Sequence, residues 1–255
     1  MVGEILSAAS LVKDIGVTIS KSIPDAVEKW KFKKFFGKYA LSEDKIAAVI
    51  DPYEHRMARP TVQRGDYRYI KYFKSGRPPL KIMGEDKVFG ECSIRVTNFV
   101  TSTFSKFLPQ KRTIRIKTDE EVFNEWDSTF ICFGSSDSNE KTYEIEQLSE
   151  YNLHIYKTSP NTGSRCFEVD GKIFDITSDY DIAIITRTTN PFHSKHYLFI
   201  CAGLGGWGTS GAAYYLLNEW KQLNKRFKKN PNFCLVLEVK YGQDQSAREV
   251  FEYCS

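Results

Sequence analysis

The chain has no Cys-x-x-Cys pair, and its four histidines are scattered. No zinc-ligand spacing can be assembled from them, so no metal site is expected. The six cysteines (Cys92, Cys132, Cys166, Cys201, Cys234, Cys254) lie far apart, most of them inside apolar runs such as FICF and LFICA. That placement predicts reduced, buried thiols in a cytosolic protein, not a disulfide framework. No apolar run approaches the ~20 residues that a membrane span needs. No basic segment precedes the apolar N-terminal stretch, which argues against a secretory signal. GxSxG, HExxH, a P-loop lysine and a Ser–His–Asp pattern are all missing. The motifs therefore imply no resident cofactor and no evident catalytic set. There is no internal repeat and no low-complexity tract.

Charge is present but unevenly laid out. The 255 residues carry 36 Lys+Arg against 32 Asp+Glu, a formal +4. Residues 29–38 (KWKFKKFFGK) hold five lysines and no acid, and 221–229 (KQLNKRFKK) hold five more basic groups. Taking those ten charges from +4 leaves the remainder at −6. The chain is a slightly acidic globule with two basic patches. Histone-like or ribosomal chemistry needs charge spread along the chain and is not expected, and the overall charge makes no nucleic-acid binding evident. Apolar residues at 41% and aromatics at 14% suffice for a packed core and exclude wholesale disorder.

Near the N-terminus Ile5, Ala8, Val12, Ile15, Ile19 and Ile23 recur at steps of three or four, a helical stripe that ends or restarts at Pro24. Trp30-Lys31-Phe32-Lys33-Lys34-Phe35-Phe36 then mixes bulky aromatics with lysines. One reading is a helix whose aromatics pack on the main domain and whose lysines face water. Another is a peripheral membrane contact through Lys29–Lys38, since aromatic rings suit the interface and lysines suit anionic lipid. A protein or nucleic-acid contact is the third. Residues 1–40 are thus expected to form an N-terminal amphipathic, basic helical appendage, and 41–255 an α/β domain.

Beyond residue 40, short apolar runs alternate with helical patterns. Strands are expected at Lys45–Asp51, Thr113–Lys117, Ser128–Phe133, His196–Ala202 and Asn232–Val239, and helices over Val88–Phe107 and from the glycine run after Ala202 to about Phe227. A helical turn is expected after Asp119, where acids suit a helix start. The Pro52–Lys87 stretch reads as a loop whose RGDYRYIKYF segment is a strand or an insertion. Residues 151–187 read as β-rich, with Asp170-Gly171 as a hairpin turn. Strands with little face alternation argue for a Rossmann-like, mainly parallel sheet with helices on both faces and an inserted hairpin region.

Two loops carry the strongest functional signal. Gly203-Leu204-Gly205-Gly206-Trp207-Gly208 satisfies GxGxxG between an expected strand and an expected helix. Such glycines let backbone approach a ligand, and free amides at a helix start attract an anion. Thr209 adds a hydroxyl. The spacing differs from a dinucleotide fingerprint: the run lies near the C-terminus, and the next strand-borne acid, Glu238, is over thirty residues on. A turn needed only for close helix–strand packing is the other reading. Gly134, Ser135, Ser136, Asp137 and Asn139 follow the strand STFICF, where open α/β sheets place ligands, although Asx or Ser capping would also use them. If the two strands are neighbours, both loops line one crevice. Arg187, emerging from YDIAIIT, is a candidate anion clamp, and Asn190-Pro191 is either part of that group or a turn. Asp51, Glu54, His55 and Arg56 follow the first strand. His193 and His196 lack a third ligand and read as surface loop.

The runs FGSSDSN, DIAIITRTTNPF and FICAGLGGWGTSGAAYYL resemble, in that order, uncharacterised bacterial Rossmann-like ligand-binding domains. They are also distantly similar to nucleotide-sensing Rossmannoid domains of prokaryotic conflict (defence) systems. The resemblance spans about residues 45–240. This chain has Ser135-Ser136 where the related pattern often has Gly-Pro. The resemblance implies a ligand-binding α/β domain with no established reaction. Three functions follow as expectations. The first is a cytosolic binding or sensor domain for a nucleotide or other small anion. The second is an enzyme acting at an N-glycosidic or phosphate bond through Asp137 or Glu54 with Arg187. The third is a peripheral membrane or scaffold protein working through its N-terminal segment.

Overall fold

The computed structural model describes residues 26–42, 45–51, 90–108, 114–149 and 151–255. The Ile5–Ile23 stripe, the Pro52–Lys87 loop, and Glu54, His55 and Arg56 within it lie outside the described residues.

Seven strands form the main sheet. They are β1 (Ile46–Ile50), β2 (Arg115–Thr118), β3 (Thr129–Phe133), β7 (Tyr180–Thr189), β8 (Tyr197–Gly203), β9 (Phe233–Lys240) and β10 (Arg248–Cys254), in the order β10-β9-β7-β8-β3-β1-β2. The small strands β4 (Ile155–Thr158), β5 (Arg165–Val169) and β6 (Lys172–Asp175) make a separate antiparallel sheet. Asp170 and Gly171, both at positive φ, turn β5 into β6, as an Asp-Gly hairpin requires. The helices are α1 (26–36), α2 (Glu91–Ser105), α3 (Glu140–Glu146) and α4 (Gly206–Arg226).

The sheet is mixed. Neighbours β2, β1, β3 and β8 are parallel, whereas β7 runs against β8 and β9, and β10 against β9. Five of the seven strands therefore point one way. The inserted hairpin region is correspondingly shorter than 151–187: β7 belongs to the centre of the main sheet. It is buried on both faces from Asp181 to Arg187, and a strand so buried carries no face alternation to mark its direction. Strand β10 has no counterpart in the sequence reading.

Alternate residues of each strand feed two cores. Ile46, Ile131, Phe199 and Leu235 face one side, and Ala47, Phe130, Ile200 and Val236 the other. Helices α1, α2 and α4 cover the first side. There Phe32 stacks on Phe107 at 4.2 Å and meets Phe104 and Trp220 edge-on at 4.9 and 5.1 Å. The second side receives Ile145 of α3, but mostly Phe167 and Val169 of the small sheet with Leu153. Among the described residues, three helices thus build the first core, and the small sheet supplies most of the second beside the seven-residue α3.

The aromatics of the N-terminal basic block are core residues. Phe32, Phe35 and Phe36 are fully buried, while Lys31, Lys33, Lys34 and Lys38 are exposed. The second basic block ends α4, where Lys225 and Arg226 complement the helix dipole. Arg226 also pairs with Glu249 at 2.6 Å and with Glu252. All six cysteines are free, and Cys132, Cys166, Cys201 and Cys234 are buried. Among the described residues, no helix is long and apolar enough to cross a membrane.

Candidate functional site

Helix α2, the next described element after β1, packs on the first face, and α3, the next after β3, on the second. Adjacent parallel strands whose connections diverge open a crevice at their carboxyl ends. A cavity of about 320 Å³ occupies that place. Asp51 after β1, Gly134, Ser135, Asp137 and Ser138 after β3, and Leu204, Gly205, Gly206 and Thr209 after β8 line it. The first turn of α2 closes it with Cys92 and Ser93, and Tyr156 of β4 reaches it from the small sheet.

The loop after β3 is built tightly. Gly134 has φ +118°, which favours glycine, and a β-carbon there would lie 2.7 Å from Ser138 Oγ. Its amide donates to the Cys201 carbonyl at 3.0 Å, tying the loop to β8. Asn139 is buried and caps α3. Its Oδ1 accepts from the Thr142 amide at 3.0 Å, and its Nδ2 donates to the Phe133 carbonyl at 3.2 Å. Asn139 therefore shapes the crevice floor without lining it, and Ser136 stands outside the lining as well. Asp137 lines the cavity and pairs with Arg165 Nη2 at 3.1 Å. Arg165 in turn lies over the Tyr156 ring.

The loop after β8 is already occupied in part. The buried carboxylate of Asp181, at the start of β7, accepts from the Gly205 amide at 3.0 Å and the Gly208 amide at 2.6 Å. A protein carboxylate thus takes two of the amides at the start of α4. The first donor within the helix is Thr209, to the Gly205 carbonyl at 3.2 Å. Gly206 and Trp207 lie between, and their amides have no acceptor among the described residues. Gly203 and Gly208 do not line the cavity. A β-carbon on Gly203 would lie 2.3 Å from the Thr209 nitrogen, and one on Gly208 would lie 2.9 Å from the Gly203 Cα. Both are required for the close helix–strand approach. Thr209 faces both ways: its hydroxyl accepts from the Gly203 amide at 2.9 Å while the residue lines the cavity.

Arg187 and Asn190 are not in the crevice. Arg187 is buried near the opposite end of the sheet, paired across β7 with Phe199 and Phe233. It donates to the carbonyls of Pro231 at 2.7 Å, Asn230 at 3.2 Å and Phe227 at 3.3 Å. Its guanidinium sits among the rings of Phe35, Tyr197 and Phe233. Burial lowers its pKa to about 10. Asn190 closes a turn, accepting from the Phe192 amide at 3.0 Å and donating to the Trp126 carbonyl at 2.6 Å. His196 contacts Thr129 Oγ1 at 3.3 Å, and burial lowers its pKa. No group of three or more potential metal ligands occurs among the described residues.

Sequence reasoning missed Asp181, Cys92, Ser93 and Tyr156. Asp181 had one signal, a lone acid opening an apolar strand. The Cys92 thiol is pushed up to about 11, chiefly by burial, so it stays protonated at neutral pH and is not a primed nucleophile. No protein-family model matches the chain, and no curated protein is detectably similar to it.

Proposed function

We propose that this crevice binds a nucleotide or another small anionic molecule, and that the protein acts as a binding or sensor domain in the reducing cytosol. The observation that carries this is convergence. The loops after β3 and β8, singled out independently in the sequence, line one cavity at the carboxyl ends of parallel strands. The cavity is at the lower end of the range for small-molecule sites. The helix starts of α2 and α4 favour an anionic group, and Asp51 and Asp137 suit hydroxyls such as those of a ribose. Because Asp181 already takes the Gly205 and Gly208 amides, the anion's partners are the amide of Gly206, which lines the cavity, and the first turn of α2. The resemblance of these loops to nucleotide-sensing Rossmannoid domains points the same way.

Thermal unfolding against a panel of nucleotides, dinucleotides and cyclic nucleotides tests this. A ligand at a hundred times its dissociation constant adds about 2.7 kcal/mol, or about 5–10 °C for a chain of this size. Gly206→Glu supplies the matched control. A β-carbon at Gly206 meets only Cys92 Cβ, at 3.5 Å. An acid in the first turn suits the helix dipole, yet its carboxylate occupies the anion's place. The variant is expected to fold and to lose the shift. No stabilisation by any member of the panel would count decisively against the reading.

Two carboxylates in one crevice favour a second reading, an enzyme acting on such a molecule at its N-glycosidic or phosphate bond. Arg187 has no part in it. Release of base from NAD or nucleosides, abolished by Asp137→Asn, is the result it requires.

A further inference from the structure

The far end of the sheet carries a different surface. Residues Trp30, Lys33, Lys34 and Lys38 of α1 and the turn after it surround an open hollow of about 360 Å³ with Lys195 and Tyr197. Four lysines line it and no carboxylate does. They come from two separate segments, α1 with its following turn and the 190–196 loop, so the hollow is not a property of one run of sequence. The lysines are exposed. The buried phenylalanines of α1 fix which side of the helix faces outward, and Trp30 is left 61% exposed on that side. Val27, one turn before Trp30, is 45% exposed, and Phe192 at the tip of the 190–196 loop is 58% exposed. Lys34 lies 5.3 Å from the centre of the Trp30 ring.

We propose that this surface docks on an anionic lipid membrane, with Trp30 entering the headgroup region and the lysines meeting lipid phosphates and carboxylates. Charge complementarity selects a polyanion. The exposed apolar side chains select a bilayer over a nucleic acid, since an indole ring gains from the interface and lysines from its surface potential. The hollow contains lysines alone and no arginine, so the planar fork that grips phosphodiesters bidentately is missing.

Vesicle flotation of the full chain tests the assignment, using phosphatidylcholine vesicles with and without phosphatidylserine. Binding to the serine-containing vesicles alone is expected. It should weaken as salt rises from about 0.1 M to about 1 M, which shortens the screening length from about 10 Å to about 3 Å. Each lysine near the surface contributes about fivefold in affinity, so Lys33→Glu/Lys34→Glu should weaken binding at least about 30-fold. Lys195→Glu and Trp30→Ala should each weaken it too. Lys195 lies outside α1, so binding carried elsewhere in the chain would not respond to it. All these side chains are exposed, and unchanged melting temperatures show that the variants fold. Equal flotation with neutral vesicles, indifference to the lysine reversals, or tighter binding to DNA or RNA at the same salt would overturn the proposal.

Discussion

Gly203, Gly206 and Gly208 belong to one short run and answer to different constraints. None of the three has a positive φ, so what distinguishes them is the space beside them. Gly203→Ala would drive a β-carbon to 2.3–2.5 Å from three backbone atoms, which no side-chain motion relieves. Gly206→Ala meets only an ordinary contact. The first should lower stability by about 3 kcal/mol or more. The second should be neutral or add up to about 1 kcal/mol through helix propensity. Urea midpoints measure both, and equal effects would refute the assignment of roles. The GxGxxG spacing was legible because its glycines follow a strand and start a helix. Its division of labour was not legible: Gly208 answers to Asp181 and Ile182, distant in sequence, and Gly203 to the way the helix start folds back over it through Gly205, Gly208 and Thr209.

Asp181 makes a second residue-scale case, in which two effects oppose each other. Burial raises its pKa, while the amides of Gly208 and Gly205 pull it down, and burial prevails. The folded state thus holds the protonated acid more readily than the unfolded chain does. Its contribution to stability is whole below about pH 4 and is lost as pH rises through the raised folded value. Asp181→Asn cannot titrate. The stability gap between parent and variant should be widest near pH 4 and narrow as pH increases. A gap that widens instead would mean that the amides prevail and the pKa is depressed.

Among the elements, α1 and β7 show where pattern reading stopped short. The run KWKFKKFFGK fitted a helix packed on the main domain as well as aromatics free for a membrane, protein or nucleic-acid contact, because its aromatics and lysines interleave at helical spacing. Packing decides: Phe32 and Phe36 lie among Phe104, Phe107, Phe199 and Trp220. Truncating either to alanine should cost about 3–5 kcal/mol, a large share of a typical domain's stability. Calorimetry or chemical unfolding would show it, and a loss below about 1 kcal/mol would mean that α1 is dispensable. Arg187 is the complementary element-scale lesson. A strand-borne arginine near a polar loop looks like an anion clamp, but its end of the strand was misjudged because the direction of β7 was not readable. Its three carbonyl partners hold the chain between α4 and β9. Arg187→Met should therefore lower stability by about 3 kcal/mol and leave ligand shifts at the crevice unchanged.

Across the whole molecule, the crevice and the basic hollow stand at opposite ends of β8, whose seven residues span roughly 20 Å. The alternation of apolar runs conveyed the layered α/β plan, whereas the pairing of β3 with β8 that brings the two loops together stood in the sequence only as a condition. Strand direction beyond β8, and the small sheet that replaces helices on the second face, depended on long-range pairing that local pattern does not encode. The opposite placement has a functional consequence. A membrane at the hollow would leave the crevice open to solution, so the two activities should separate cleanly. Gly206→Glu should abolish nucleotide stabilisation yet float with phosphatidylserine vesicles like the parent. Lys33→Glu/Lys34→Glu should do the reverse. Salt should distinguish them as well, because the exposed lysines are screened, whereas amides at a recessed helix start are screened much less. If one variant removed both activities while its melting temperature stayed at the parent's, the two ends of the sheet would have to be coupled, and the separation argued from the fold would fail.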